Sequence, residues 1–167
     1  MPRLEDTLSI ADLRAMSRAR LPRMVFDYID GGAEDEVTLR RSVDRFSDYE
    51  LTWNALRDVS DIDLSATMMG EQAQLPFLIA PTAAARLFHP KAGELAAARA
   101  ASRKAAIYCC STLASQTVED IAASASGPKW VQVYVWKDRG LVEDFLYRAK
   151  AAGFTGCVLT VDLAMGG

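Results

Sequence analysis

Residues 130–136 read Trp130-Val-Gln-Val-Tyr-Val-Trp136, an apolar run in which polar side chains occupy alternate positions towards the end. Three comparable runs lie at 76–80, 106–110 and 156–161, so their starts recur about every 25 to 30 residues. Segments with helical spacing separate the runs, at about 92–104, 118–123 and 141–152. Parallel strands need a crossover connection, which a helix supplies, and the alternation therefore predicts parallel βαβ units.

Hydrogen-bonding side chains gather at the carboxyl end of each predicted strand. They are Thr82 after the first run, Ser111 and Thr112 after the second, Gln132 and Tyr134 in the third, and Thr160 and Asp162 in the fourth. In parallel α/β folds, ligands bind at this end of the strands. The alternative interpretation is that strand ends are polar only because loops follow them, but Gln and Tyr inside so apolar a run favour a ligand site.

Phosphate-binding fingerprints of open α/β sheets are absent from the sequence, which has neither G-x-G-x-x-G nor G-x-x-x-x-G-K-[ST]. A whole (β/α)8 barrel needs about 250 residues and eight strands. Four predicted strands in a chain of 167 residues therefore favour the first half of such a barrel, over 71–167.

Residues 1–70 are charged and amphipathic with helical spacing, and they are expected to form a helical cap and lead-in. Ser9 suits the N-cap of a first helix, Pro22 opens a second and Gly31-Gly32 ends it. A third helix is expected over about 35–46. The apolar faces expected to be buried comprise Ile10, Leu13, Met16 and Leu21, then Met24, Val25, Tyr28 and Ile29, then Val37, Leu39, Val43 and Phe46.

Composition narrows the class of protein. A net charge of −3 offers no electrostatic footprint for nucleic acid. No apolar run approaches the roughly 18 residues of a membrane span, and the amino terminus has no signal-peptide pattern. Cys109, Cys110 and Cys157 are expected to be buried, reduced thiols. We therefore expect a soluble cytoplasmic protein, and composition leaves peripheral association with a membrane open.

Several segments carry a specific resemblance. They are Leu21-Pro-Arg-Met-Val-Phe-Asp-Tyr-Ile-Asp-Gly-Gly-Ala-Glu-Asp35, Ile79-Ala-Pro-Thr-Ala83, His89-Pro90, Ala97-Ala-Arg-Ala-Ala-Ser102, Gln132-Val-Tyr134 with Lys137-Asp-Arg139, and Leu159-Thr-Val-Asp162. In this order and spacing they resemble the FMN-dependent 2-hydroxy-acid dehydrogenases and oxidases. The resemblance implies FMN as cofactor, a small lactate-like L-2-hydroxy acid as substrate, a 2-keto acid as product, and a homo-oligomer.

The same resemblance implies roles for individual residues. Tyr28 matches a tyrosine that binds the substrate carboxylate, and Tyr134 one that contacts the substrate oxygen. Asp162 matches an acidic residue whose expected task is to orient the catalytic base. The flavin contacts would be made by Pro81, Thr82 and Ala83 along the ring and by Ser111, Gln132 and Thr160 at its edge. Leu113 stands where glycolate-oxidising relatives carry a large aromatic residue, which favours a longer substrate.

The single histidine, His89, matches a structural His-Pro pair rather than the catalytic base of the family. That base, the arginine that binds the substrate carboxylate, a lysine near the flavin and the phosphate-binding segment are expected in the second half of a complete barrel. Two hypotheses follow. The chain is part of a full-length FMN-dependent enzyme, or it is a truncated and catalytically inactive fragment.

Overall fold

The computed structural model describes residues 3–162, and contacts divide these residues into two compact units, with the boundary along the chain between Arg57 and Asp58. Within the described residues, no helix combines the length and the apolar character needed to cross a membrane, and the longest helix has 13 residues.

The amino-terminal unit contains three short helices. They are α1 (Ile10–Arg20), α2 (Arg23–Asp30) and α3 (Val37–Asp44), with 3₁₀ turns at Leu4–Asp6 and Arg45–Asp48. Ser9 caps α1 as expected, because its hydroxyl accepts from the Asp12 N–H at 3.2 Å while the Asp12 carboxylate accepts from the Ser9 N–H at 2.9 Å. The Arg14 guanidinium binds the Asp30 carboxylate through two nitrogens and so joins α1 to α2.

The predicted burial of the helix faces in this unit is largely wrong. Between residues 3 and 57 only Met16 and Phe26 are buried. The face expected on the third helix is exposed throughout, since Val37, Leu39, Val43 and Phe46 are 54%, 37%, 67% and 82% exposed. Helical spacing identifies side chains that share a face, but burial requires a facing surface, and no periodicity supplies that information.

The second unit begins with a hairpin that the sequence did not predict. Strands β1 (Ala66–Met68) and β2 (Glu71–Ala73) pair antiparallel through a two-residue turn. Both turn residues have positive φ, Met69 at 50° and Gly70 at 85°, as a type I′ turn requires. The hairpin groups with the strand unit, so the expected boundary after residue 70 falls inside it. Methionine is not the usual first residue of this turn, which explains why the signal was missed.

A parallel sheet follows, and its strands lie in sequence order. It comprises β3 (Leu78–Ile79), β4 (Ile107–Cys110), β5 (Lys129–Val133) and β6 (Gly156–Leu159), connected through α4 (Glu94–Arg103), α5 (Val118–Ser124) and α6 (Arg139–Ala151). Consecutive parallel strands with a helical crossover between neighbours confirm the predicted α/β class. The arrangement is the first half of a (β/α)8 barrel.

Each face of the sheet has its own core. On one face, Tyr108, Cys110, Val131 and Val133 pack with side chains of the three crossover helices, among them the fully buried Ile121. On the other face, Ile107, Cys109 and Trp130 pack with Ala73 of the hairpin. Neighbouring side chains of a strand alternate between these two cores, as the pleat of a strand requires.

The cysteines divide between buried and exposed positions. Cys109 and Cys110 are unpaired and buried as expected, and burial raises their pKa values to about 11 and about 12, which leaves both thiols protonated at neutral pH. Cys157 is unpaired but exposed, so the expectation that it is buried is wrong. It lies on β6, which pairs with β5 on one side only among the described strands.

Candidate functional site

A network of polar side chains joins the carboxyl ends of three adjacent strands, and Gln132 of β5 is its centre. The Gln132 side-chain oxygen accepts from the Thr112 N–H at 3.1 Å and from the Ser111 hydroxyl at 3.4 Å. Its side-chain nitrogen donates to Thr160 Oγ1 at 2.7 Å. One buried amide, 3% exposed, therefore links the ends of β4, β5 and β6.

Thr112, which the sequence indicated only as a polar residue at a strand end, reinforces this network. Its hydroxyl donates to the backbone carbonyl of Gln132 and accepts from the Tyr134 N–H at 3.3 Å. The Thr160 N–H donates to the Val133 carbonyl at 3.1 Å. Sequence reasoning identified polar strand ends, but only the register of the strands shows which hydroxyl meets which backbone group.

The network retains unused donors. An amide nitrogen carries two hydrogens, and Gln132 Nε2 donates one of them to a described residue, namely Thr160. Thr160 Oγ1 accepts that hydrogen, and its own O–H finds no acceptor within residues 3–162. Two uncharged donors at a strand end can bind a ligand whose edge offers nitrogen or oxygen acceptors.

The loop that follows β3 lies against the loop that follows β4. The Ala84 N–H donates to the Leu113 carbonyl at 3.0 Å, and the Leu113 N–H donates to Ser111 Oγ at 3.1 Å. Pro81 and Ala83 are half-buried, whereas Thr82 is exposed. Ser111 is 5% exposed. The structure therefore places the predicted segment Pro81-Thr82-Ala83 next to the residues that join the loop after β3 to the loop that begins at Ser111.

The other predicted site residues are not part of the Gln132 network, and one of them belongs to the amino-terminal unit. Tyr134 follows β5 directly and is half-buried, and Asp162 is exposed at the end of the described chain. Tyr28 lies on α2 of the amino-terminal unit and is 60% exposed. The structure thus joins Ser111, Gln132 and Thr160 directly, and it records no hydrogen bond from the side chain of Tyr134 or Asp162 to them within residues 3–162.

His89 stabilises a turn. Its Nδ1 accepts from the Ala92 N–H at 3.1 Å, and its backbone carbonyl accepts from the Gly93 N–H at 2.8 Å. The ring is exposed in the segment that leads into α4. These contacts agree with the structural role expected for the His-Pro pair.

Glu94 has a buried carboxylate that contacts both of these loops, and sequence reasoning missed it. It is 1% exposed and accepts from the Ala85 N–H at 3.0 Å and the Ser115 N–H at 2.7 Å. Burial pushes the pKa of this carboxyl upwards, but hydrogen bonds from Ser115 and Ala85 outweigh it and hold the pKa below the ordinary value. Glutamate in a first helical turn normally faces solvent, so the sequence carries no signal of this burial.

The chemistry of the donor set argues for a neutral, planar ligand edge. Within residues 3–162, no group of three or more His, Cys, Asp or Glu side chains could hold a metal ion. Gln132, Ser111 and Thr160 are uncharged and present hydrogen-bonding groups from neighbouring strands. A heteroaromatic ring with carbonyl and ring-nitrogen acceptors matches this set better than a cation or a phosphate does.

Comparison with known proteins gives a consistent result. A family model described as FMN-dependent dehydrogenase matches residues 17–167. The L-lactate dehydrogenase of Caulobacter vibrioides is 43% identical over 159 residues, which cover 95% of this chain and 41% of that protein. Glycolate oxidase 1 of Oryza sativa is 42% identical over 157 residues, which cover 94% of this chain and 42% of that protein.

Solved structures show the same fold. A mutant of the active chimera of (S)-mandelate dehydrogenase superimposes with a TM-score of 0.88 at 37% identity, and the match covers 95% of this chain and 44% of that one. The chain therefore spans less than half the length of the relatives that it matches.

Proposed function

The chain belongs to the FMN-dependent dehydrogenase family, and from that premise we propose that it forms the amino-terminal part of an enzyme that oxidises a lactate-like L-2-hydroxy acid to the 2-keto acid. FMN, when bound, supplies the acceptor for the hydride equivalent that leaves the substrate. The observation that carries the proposal is the Gln132 network, because it gathers neutral donors at the strand ends where this fold binds its ligands.

In this proposal Gln132, Ser111 and Thr160 hold the polar edge of the flavin ring. The burial of Ser111 and Gln132 and the hydrogen bonds that join them to each other and to Thr160 fix these groups before a ligand arrives, so little reorganisation is needed on binding. With FMN bound, Gln132, Ser111 and Thr160 would stabilise negative charge at this edge of the ring. Pro81, Thr82 and Ala83 are assigned to the face of the ring, where small side chains allow a close approach of the backbone.

The proposed substrate contacts are Tyr28 and Tyr134. Tyr134 follows the central strand of the network, and its backbone N–H is fixed by Thr112. Its phenol would donate to the substrate oxygen, while that of Tyr28 would donate to the substrate carboxylate. Asp162 is assigned to orient the catalytic base through a hydrogen bond. His89 is not assigned as that base, and its Nδ1, which accepts a hydrogen bond in the turn before α4, supports a structural role instead.

Leu113 is the proposed determinant of substrate length. It is 53% exposed, and its backbone is held by two hydrogen bonds, from its N–H to Ser111 Oγ and from the Ala84 N–H to its carbonyl. A leucine here leaves more room than an aromatic residue. In the hybrid enzyme described below, we expect Leu113→Trp to lower the rate with L-lactate and L-mandelate relative to glycolate. Unchanged relative rates would remove Leu113 from this role.

The alternative is that these 167 residues, on their own, form a catalytically inactive fragment. The proposed activity belongs to the protein of which they are the amino-terminal part. We also propose a cytoplasmic location, with or without peripheral association with a membrane, and a homo-oligomeric assembly. The proposed location and assembly rest on the family to which the chain belongs.

A hybrid enzyme tests the proposal. The chain would replace the aligned amino-terminal part of the Caulobacter vibrioides L-lactate dehydrogenase, of which it covers 41%. The purified hybrid would be examined for bound FMN and then mixed anaerobically with L-lactate, D-lactate, glycolate or L-mandelate while the flavin absorbance is followed. The parent enzyme and the isolated chain are the controls.

We expect the hybrid to retain FMN and to lose its flavin absorbance with L-lactate but not with D-lactate. A soluble hybrid without FMN would contradict the assignment of the cofactor site. A hybrid that holds FMN but responds to none of the 2-hydroxy acids would favour the inactive alternative for this chain.

A further inference from the structure

We propose that Glu94 is a positioning residue whose buried carboxylate holds the loop after β3 and the loop after β4 in one fixed arrangement to receive the flavin ring. The proposal rests on the proposed function for the identity of the ring, whereas the connection between the loops rests on contacts within this chain.

The carboxylate of Glu94 is shared between the two loops. From the first loop, the Ala85 N–H donates to Oε1 at 3.0 Å. From the second, the Ser115 N–H donates to Oε1 at 2.7 Å, and Ser115 Oγ lies 2.9 Å from Oε1 and 2.7 Å from Oε2. An ionised carboxylate only accepts hydrogen bonds, so it suits a position surrounded by donors.

Ser115 extends this connection along the first loop. Its hydroxyl has one hydrogen, which goes to the Glu94 carboxylate, and its oxygen accepts from the Arg86 N–H at 3.1 Å. Two consecutive backbone N–H groups of the first loop, those of Ala85 and Arg86, are thus satisfied by Glu94 and by the residue that Glu94 binds. The connection continues at the next residue of α4, where the Leu95 N–H donates to Gln116 Oε1 at 3.2 Å.

The two loops are the ones assigned to the flavin. Ala85 lies two positions after Ala83, and Ser115 lies four positions after Ser111. Glu94 is the first residue of α4, a helix packed against the sheet. Its hydrogen bonds therefore hold both loops in position relative to that helix. Glu94 acts through these loops and is not proposed to contact the flavin.

The backbone around Glu94 leaves little room for another arrangement. Ala84 has φ of 50° and Gly93 has φ of 47°, both in the left-handed region. A Cβ on Gly93 would lie 2.6 Å from Arg86 Cγ and 3.2 Å from the Arg86 nitrogen. Unusual backbone conformations persist where the surroundings enforce them, and the residues that follow these two positions, Ala85 and Glu94, are joined by the hydrogen bond from the Ala85 N–H to Glu94 Oε1.

Two substitutions separate geometry from charge. Glu94→Gln keeps Oε1, which accepts both backbone N–H groups, and places an NH2 where Oε2 accepted from Ser115. The Ser115 hydroxyl can rotate to donate to Oε1 and accept from that NH2, so the connection survives. Glu94→Ala removes it and leaves buried donors without partners. Ser115→Ala is a third and milder variant, which keeps the Ser115 N–H bond to Glu94 but removes the link to Arg86.

The first measurement is amide hydrogen exchange of the 167-residue chain without flavin. We expect the amides of Ala85 and Ser115 to exchange about tenfold faster or more in Glu94→Ala, and near the wild-type rate in Glu94→Gln. The control Glu119→Ala removes a carboxylate that binds Arg148 away from the loops, and it is expected to leave these amides unchanged. Unchanged exchange in both Glu94→Ala and Ser115→Ala would overturn the loop connection.

The second measurement uses the hybrid enzyme and reads the flavin itself. We expect Glu94→Ala to weaken FMN binding about tenfold or more and to alter the visible circular dichroism of the bound flavin, with Glu94→Gln restoring both. Flavin affinity and spectrum at the wild-type level in Glu94→Ala, despite fast loop exchange, would overturn the positioning role. A wild-type hybrid that binds no FMN would overturn the proposed function and the flavin part of this inference, while the exchange result on the loops would stand.

Discussion

The two units of the chain bury their apolar side chains to very different extents. In the amino-terminal unit, residues 3–57, three helices bury only Met16 and Phe26. In the strand unit, β4 and β5 are buried along their whole length, and residues such as Ile107 and Ile121 have no exposed surface. The comparison shows that helical amphipathicity alone does not create a core. A sheet with a helix on each crossover does, because each element presents a surface to the next.

The largest expected difference concerns the same substitution in the two units. Ile121→Ala on α5 removes a side chain that is 0% exposed, whereas Ile10→Ala on α1 removes one that is 80% exposed. In urea unfolding of the chain, we expect Ile121→Ala to lower the free energy of unfolding by about 3 kcal/mol and Ile10→Ala by less than about 0.5 kcal/mol. Equal losses would mean that the amino-terminal helices bury more surface in solution than these positions indicate.

A smaller loss is expected where the strand unit is too tightly packed to accept a methyl group. A Cβ on Gly156 would lie 2.3 Å from Trp130 Cδ1, so Gly156→Ala should cost about 1–3 kcal/mol of unfolding free energy. Gly140→Ala on α6 is the control, because only Asp138 Oδ1 lies near the added carbon, at 3.3 Å. Gly156→Ala should cost less unfolding free energy in a Trp130→Leu background than in the wild type, although Trp130→Leu is itself destabilising. An equal cost in the two backgrounds would contradict the steric explanation.

The smallest expected effect distinguishes a buried from a surface carboxylate in acid. Hydrogen bonds hold the pKa of Glu94 below its ordinary value of 4.5 despite burial, and a hydrogen bond from Arg14 lowers the pKa of Asp30. A carboxyl whose pKa is lower in the folded protein stabilises it above the unfolded pKa, and this contribution is lost as the pH falls through the folded pKa.

We therefore expect the melting temperature of the wild-type chain to fall more steeply than that of Glu94→Gln between neutral pH and about pH 3. Asp30→Asn, in the amino-terminal unit, should change that slope less, because solvent screens the pair that it forms with Arg14. Parallel pH profiles for the wild type and Glu94→Gln would show that Glu94 is not held as an ion in the folded chain.

The strand unit was the more predictable one, for a physical reason. Each strand run and each crossover segment is a local pattern, and chain connectivity between parallel strands leaves few topologies. The runs predicted at 106–110 and 156–161 appear as Ile107–Cys110 and Gly156–Leu159, and the segment at 141–152 as Arg139–Ala151. What escaped prediction depended on partners distant in sequence, such as the exposure of Val43 and Phe46, or on a turn with an unusual residue at Met69.

The residues of the candidate site likewise include some that local sequence patterns predict and some that they do not. The proximity of Ser111, Gln132 and Thr160 was predictable because the carboxyl ends of parallel strands meet at one edge of a sheet. Thr112 was predictable only as a polar residue at a strand end, and its backbone contacts were not. Glu94 was missed, since a glutamate at the start of a helix is an ordinary surface residue in a sequence. The roles of Thr112 and Glu94 follow from strand register and from loops brought together across the fold.

The central claim is that the carboxyl end of β5 is the flavin site, and the two ends of that strand test it most directly. Gln132 lies at the carboxyl end, whereas Lys129 lies at the amino end, where its ammonium donates to the carbonyls of Ala125 and Gly127 at 2.9 Å and 2.7 Å. Both side chains are buried and polar, at 3% and 6% exposed. Gln132→Met and Lys129→Met therefore remove comparable buried hydrogen bonds from opposite ends of one strand.

The decisive measurement is the FMN dissociation constant of the two hybrid variants, with unfolding stability recorded for each. The account expects both substitutions to lower stability, and only Gln132→Met to weaken FMN binding, by about tenfold or more. FMN affinity at the wild-type level in Gln132→Met, or equal weakening in both variants in proportion to lost stability, would contradict the assignment of the flavin edge to this network.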